Sequence, residues 1–553
     1  STGYKPKDGM NIESLNGTKP TVGIENYPKV EAPYKYSARQ VIDDYFTYDM
    51  PIGYFLPNDG YGAGYGQNGY GKTGGVDNEG KSSQERLAAV AANVQNLADF
   101  TKYANEKGVA TGLWTQSYLT PDSNPKTEWQ LLRDFKNEVK VGGVSTLKTD
   151  VAWVGHGYSM QLDGVKTAYD IATTEGKVRP NIISLDGWAG SQRYCGIWTG
   201  DQYGGEWEYI RFHIPTYIGT SLSGNPNIGS DMDGIFGGNQ LIATRDYQWK
   251  SFTPLMLNMD GWGTYAKMPY TFGDPYTGIN RMYLKTKAQL LPYIYTGAAS
   301  AANIDTGNGD TGLPLIRAMF LEYPDDSYAS SKEMQYQYML GSNLLVAPIY
   351  KSTAADDKGN DVRNNIYLPD SKEVWIDYFT GQQYQGGQVL NNFAAPLWKL
   401  PVFVKNGAII PMWEENNTPE QIKKENRIVE FWPDGKTSYT MFEDDGKFVE
   451  NDLKEDGDYG KITKTSYGAH VSTKYTSEVK DGTATLTAEK STGNYTGYKK
   501  DKNTTFVVNV SKEPTKVTAK NGSDSLTLDK VQSKADFDKK SAEAGKAVYF
   551  YDE

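Results

Sequence analysis

The chain has 553 residues, a formal net charge of −11, one cysteine (Cys195) and three histidines. That length exceeds what one hydrophobic core supports, so about three domains are expected. The interleaved acidic surface disfavours nucleic acid, no apolar run nears the roughly 20 residues that span a bilayer, and a disulfide within the chain or a Cys/His zinc cluster is excluded.

From about residue 40 to 350 the chain alternates helix and strand patterns. Ser82-Ser-Gln-Glu85 reads as a capping box, opening a helix from Leu87 to Lys107 that stops at Gly108. Val109–Trp114 reads as a buried strand and Trp129–Val139 as a helix. Ser145–Asp150, Tyr158–Thr174 and Asn181–Leu185 continue the strand, helix, strand order. The units then run through Ile197-Trp198, Glu206–Ile218, Asn227–Asp231, Thr244–Leu257, Arg281–Ala301, Leu313–Phe320, Met334–Leu340 and Leu344–Ile349. About eight such units predict a closed (β/α)8 barrel over residues 1–350, with an open doubly wound sheet as the alternative. After residue 350 helical periodicity fades and short β runs alternate with turns, which predicts two β-sandwich domains over 351–415 and 416–553.

Gly66-Gln-Asn-Gly-Tyr-Gly71-Lys72-Thr73 matches the P-loop string. A Gly/Tyr/Asn stretch precedes it and no helix start follows, so it reads as a glycine-rich rim loop. The polar residues Asp59, Gln116, Asp150, Asp186, Asp201 and Asp231 collect where strands end. In a (β/α)8 barrel that rim is the active face. A lone strand-end Asp is ordinarily a helix cap. Asp150, ending Ser-Thr-Leu-Lys-Thr, and Asp201, following Trp198, form a pair at analogous places. Two carboxylates about 5 Å apart let one attack an anomeric carbon while the other, with a raised pKa, donates and then removes a proton. The 71 aromatic residues (41 Tyr, 18 Phe, 12 Trp) suit sugar faces, Trp114, Trp153 and Trp198 standing nearest the carboxylates, although Tyr also fills β-sheets.

These segments resemble glycoside hydrolase family 31. Pro51-Ile-Gly-Tyr-Phe-Leu-Pro-Asn-Asp59 is similar to the family's sugar-holding segment. Asp150 matches its nucleophile position, and Trp198-Thr-Gly-Asp201 its acid/base motif. Arg211–Gly219, Gly229–Gly237, Leu340–Pro348, Trp375–Gly381 and Pro401–Pro411 follow in the family's order. The resemblance implies a retaining, exo-acting α-glycosidase that needs no metal or organic cofactor, with Asp59 on the far hydroxyls and Asp231 supporting the pocket.

Three departures are visible. No stretch before residue 40 reads as the family's N-terminal β-sandwich, which is therefore not expected within these residues. The Arg usual some sixteen residues before the acid/base is missing from Leu185-Asp186-Gly-Trp188. Met259 or Asp260 stands where a sugar-binding His is usual. Both lost residues face C2 and C3 in the family, so a 2-acetamido sugar is the expected substrate, as in the members that release α-linked N-acetylgalactosamine. Asp186, Trp188, Met259, Asp260 and Trp262 would line that side, or Trp188 and Met259 are simply core residues. Arg193 would orient a carboxylate or bridge two loops. His213 reads as a packed residue and Cys195 as a buried filler. An α-glucosidase or a glucosyl or isomaltosyl transferase on the same machinery is the alternative, and a non-catalytic carbohydrate-binding protein the reading from another class. The opening Ser1-Thr-Gly-Tyr shows no signal-peptide pattern and reads as a mature or trimmed start. The lysine-, tyrosine- and asparagine-rich, cysteine-poor composition fits an extracellular or cell-surface protein of a Gram-positive bacterium.

Overall fold

Parallel strands and helices alternate through the first half of the computed structural model, which describes residues 38–57, 83–115, 119–120, 134–150, 161–185, 187–260, 266–353, 360–447, 469–543 and 545–553. Six strands lie side by side in chain order: β1 (Tyr54–Phe55), β2 (Ala110–Thr115), β3 (Thr146–Thr149), β4 (Asn181–Ser184), β5 (Gly196–Trp198) and β6 (Ile228–Gly229). Every neighbouring pair is parallel. A parallel bridge from Asp231 to Leu257 continues the sheet past β6. Sequential, all-parallel order with intervening helices is the order of a (β/α) barrel, as the alternation predicts.

The helices are α1 (Ala38–Thr47), α2 (Ser83–Glu106), α3 (Phe135–Lys140), α4 (Gln161–Glu175), α5 (Trp207–Leu222), α6 (Gln240–Lys250) and α7 (Tyr276–Ala301). Leu113, Leu147 and Ile182 pack in one core with Leu97, Phe100, Val139, Val165 and Ala168 of the helices. In α5 the residues Ile210, His213, Ile214, Tyr217 and Ile218 are buried, a helical stripe turned to the sheet. Ile183 and Trp198 form a separate cluster with Leu257. Alternate strand residues therefore serve two cores, which is the period-two rule of a sheet covered on both faces.

The helix expected over Thr244–Leu257 lies earlier, at Gln240–Lys250. Asn239 caps it by accepting from the Ile242 N–H at 3.2 Å, and it ends at Ser251 ahead of Pro254. Pro254 biases its predecessor away from helix, which leaves Leu257 extended for its bridge to Asp231. The helix expected over Trp129–Val139 is described only as α3, which Asp134 caps.

Strands β7 (Ile316–Arg317), β8 (Tyr338–Leu340) and β9 (Leu344–Val346), expected within the barrel, pair antiparallel with one another. Through β9 they join Val402–Lys405, Val374–Asp377 and Gln383–Gln385 in a six-stranded sheet. The expected division at residue 350 thus runs through this sheet. Helical periodicity cannot reveal it, because a three-residue apolar run carries no record of its partner. Beyond it Ile409–Met412, Asn426–Phe431 and Asn503–Val508 form one sheet, and Lys436–Asp444, His470–Lys480 and Thr483–Ala488 belong to another. The expected boundary at 415 falls between paired strands. Helix α7 ties barrel to sheets: the Tyr293 hydroxyl donates to Leu340 O at 2.6 Å, and its ring packs with Tyr439.

Candidate active site

The ends of β3, β5 and β6 bring the expected carboxylates to one face of the barrel. Asp150 follows β3 directly, and its N–H donates to Thr115 O at 2.9 Å, so the last ladder bond fixes its backbone. The Trp114 indole donates to Asp150 Oδ2 at 3.2 Å. Asp201 follows β5 after Thr199 and Gly200, and it accepts no hydrogen bond from the described residues. Asp201 is exposed to solvent on one side; partial desolvation of its carboxyl, and next the charge of Asp150, push its pKa above the ordinary value, while Lys148 opposes and Asp231 adds to the rise. Repulsion from Asp150 means that the two carboxylates share one electrostatic environment.

Asp231, past the end of β6, is 1% exposed. Its Oδ2 accepts from the Trp198 indole at 2.9 Å, and its Oδ1 lies 4.0 Å from Lys148 Nζ. The same ammonium sits 3.8 Å above the Trp198 ring centroid. Lys148 and Asp150 are two apart on one extended segment, so both point to the same side of the sheet. A cation and an indole therefore meet buried Asp231 beneath a rim that carries half-buried Asp150 and exposed Asp201.

A second tier of charge supports this floor. Lys250 Nζ donates to Asp231 O at 3.0 Å and to Asp246 Oδ2 at 2.7 Å. The other Asp246 oxygen accepts from the Trp249 indole at 2.8 Å, while Asp246 Oδ2 also takes the Asp233 N–H. Lys267 Nζ donates to Gly234 O and, at 2.7 Å, to Met259 O; burial pushes this amine down to about 8. His213 is buried with Nε2 3.3 Å from Thr199 Oγ1 and 3.2 Å from Gln202 Oε1. Burial, then Lys250, hold its pKa well below the usual range, so it is a neutral packed residue, as expected. Cys195 is buried, as expected.

The remaining expected site residues divide. Asp59, Trp153, Asp186 and Trp262 lie outside the described residues, as does the Gly66–Thr73 string. Trp188 is 54% exposed on the segment after β4, and Arg193 is exposed on the turn that follows. Met259 and Asp260 are half-buried just beyond Leu257. Asp260 Oδ2 accepts the Lys267 and Met268 N–H groups at 3.0 and 3.2 Å, which commits that oxygen to holding its own loop. Sequence reasoning missed Lys148, Lys250, Lys267, Asp233 and Asp246. The one signal available was Lys148, two residues before Asp150. Among the described residues no group of three or more His, Cys, Asp or Glu side chains is arranged as a metal site.

Two family models match the chain. Residues 88–297 match the glycosyl hydrolases family 31 TIM-barrel domain, and residues 312–410 match the glycosyl hydrolase family 31 C-terminal domain, together more than half of the sequence. The chain belongs to glycoside hydrolase family 31. The second match begins at residue 312, with β7 and its antiparallel partners. Alpha-glucosidase 2 of Bacillus thermoamyloliquefaciens is 30% identical over 328 residues, covering 55% of this chain and 39% of that protein. The alpha-xylosidase of Saccharolobus solfataricus is 29% identical over 312 residues, covering 53% and 39%. The chain thus spans well under half the length of these curated relatives. The family 31 dextranase of Flavobacterium johnsoniae, solved with glucose, superposes with a TM-score of 0.70 at 20% identity, covering 99% of this chain and 68% of that one. That likeness concerns the fold.

Proposed function

We propose that the chain is a retaining α-glycoside hydrolase, with Asp150 as nucleophile and Asp201 as acid/base. The raised pKa of Asp201, set by burial and by the Asp150 charge, carries this reading, because an acid must keep its proton until the bond breaks. Asp150 attacks the anomeric carbon as the glycosidic C–O bond breaks, and the leaving oxygen takes the Asp201 proton. Water then attacks the glycosyl ester, Asp201 recovers a proton from it, and the sugar leaves with its α-configuration. Lys148, held between Trp198 and Asp231, offsets negative charge beside the pair. Exo action rests on Asp59.

The relatives' names favour a glucose-type or xylose-type terminal sugar. A second reading, a terminal 2-acetamido sugar such as α-linked N-acetylgalactosamine, is supported by the exposed Trp188 indole and by Met259 or Asp260 standing where the family has a sugar-binding His. Initial rates on aryl α-glucoside and aryl α-N-acetylgalactosaminide, with Asp150→Asn as control, decide between them. NMR of the first-formed anomer tests retention. An inverted product, or equal turnover by Asp150→Asn, would refute the mechanism.

A further inference from the structure

Resting on the glycosidase reading, we infer that Tyr203, backed by Phe236, is the platform for the leaving group, and that this leaving group presents a ring, as a further sugar unit does. Tyr203 is 65% exposed, the most exposed of the large apolar side chains among the described residues. An aromatic ring left in water beside a reaction centre forgoes burial that a ligand can restore. It is the second residue after Asp201, so the two Cα atoms are within about 7 Å. The acid/base protonates the glycosidic oxygen, so the group nearest to it on the rim meets the aglycone side of the bond.

The platform is rigid before any ligand arrives. Phe236 lies against Tyr203 with ring centroids 4.7 Å apart at 42°. The two loops that carry them are stitched together: Ile235 N–H donates to Gln202 O at 2.8 Å, Phe236 N–H to Tyr203 O at 3.0 Å, and Gly205 N–H to Asp233 Oδ1 at 2.7 Å. Gly204 and Gly234 make the approach possible, since a Cβ on either would strike the opposite backbone at Asp233 O or Gln202 O. Gln202 is pinned from below, accepting from Thr199 Oγ1 at 2.9 Å and donating to Thr199 O at 2.8 Å. Asp201 therefore sits on a segment whose next residue is fixed and whose second presents a fixed, open ring. Pre-ordering of this kind lowers the entropy lost when a sugar ring stacks.

The test compares Tyr203→Ala and Tyr203→Phe with the wild type on three glycosides of whichever sugar is cleaved faster: the aryl α-glycoside, the α-glycosyl fluoride and a serine-linked α-glycoside. The expected result is a loss in kcat/KM of about three- to tenfold for Tyr203→Ala on the aryl glycoside, less than about twofold on the two ringless leaving groups, and near-wild-type rates for Tyr203→Phe. An equal loss on all three, or no loss on the aryl glycoside, overturns the proposal. Saturation-transfer NMR with the aryl glycoside, comparing Asp150→Asn with Asp150→Asn/Tyr203→Ala, reads contact without turnover. Loss of aryl-proton saturation on removing Tyr203 supports the platform even if the glycosidase reading fails. Unchanged saturation, or none in either protein, refutes it.

Discussion

Asp233 offers a direct measure of what the stitched loops cost. Its Oδ1 accepts the Gly205 N–H, yet its Oδ2 is buried with no hydrogen-bond partner among the described residues. Burial raises its pKa from 3.8 to about 6, with Asp246 adding to the rise and the Gly205 N–H, Lys267 and the nearby Asn239 N–H opposing it. Because the folded value exceeds the unfolded one, the native state binds more protons between these values. Its contribution is complete below about pH 4 and is lost as pH rises through about 6. The full loss amounts to about 3 kcal/mol. In Asp233→Asn the oxygen facing Gly205 is retained, and Asn tolerates the left-handed backbone of this position (φ 51°). The new amide inherits the unpartnered site, which takes back about 1 kcal/mol. The variant should therefore be about 2 kcal/mol more stable than the wild type at pH 8 and slightly less stable at pH 4. Urea unfolding of the barrel transition at pH 4, 6 and 8 measures this difference. A difference that stays flat from pH 4 to 8, or falls as pH rises, would refute the reasoning.

Asp201→Asn should lower kcat on poor leaving groups by about 10²–10⁴-fold and much less on an activated aryl glycoside, read from a leaving-group series. In the wild type kcat/KM should fall as pH rises through the raised Asp201 pKa, and that alkaline limb should vanish in Asp201→Asn pH profiles. Trp198→Phe removes the indole bond to buried Asp231 while leaving a ring under Lys148, and should cost about 2–3 kcal/mol in calorimetry. Lys267→Met, which leaves Gly234 O and Met259 O without their shared donor, should loosen the 258–268 segment and raise KM more than it lowers kcat.

The barrel was legible because most strands are short runs of β-branched, Leu or aromatic residues, several stopped by Gly or Asp, and the longer helices alternate with them. Asp150, Asp201 and Asp231 were legible for the same reason: they end such runs, and strand ends share one rim. What the sequence concealed is pairing at a distance. The runs at Ile316, Tyr338 and Leu344 look like barrel strands, and only their antiparallel pairing with one another, and of the Leu344 run with the strand near 403, reveals otherwise. Lys250 and Lys267 read as solvated charges, because nothing local announces that they will be buried against Asp246, Asp231 O and Met259 O.

That concealed set bears directly on the reaction. Three buried lysines, Lys148, Lys250 and Lys267, lie beneath a rim carrying Asp150, Asp201 and Asp231. Without them, three carboxylates converging on one face would raise one another's pKa and Asp150 would be hard to ionise. Lys148, set against Asp231 and Trp198, lowers the charge density that Asp201 meets, while Asp150 and burial still leave the Asp201 pKa raised. The two carboxylates can then differ in protonation although both end parallel strands of the same barrel: Asp150 receives an indole N–H, and Asp201 receives no hydrogen bond from the described residues. The indole N–H on Asp150 favours its charged form, while desolvation and the Asp150 charge disfavour that of Asp201. On the proposed mechanism, the division of labour between nucleophile and acid would thus rest on local electrostatics as much as on the identity of the two aspartates.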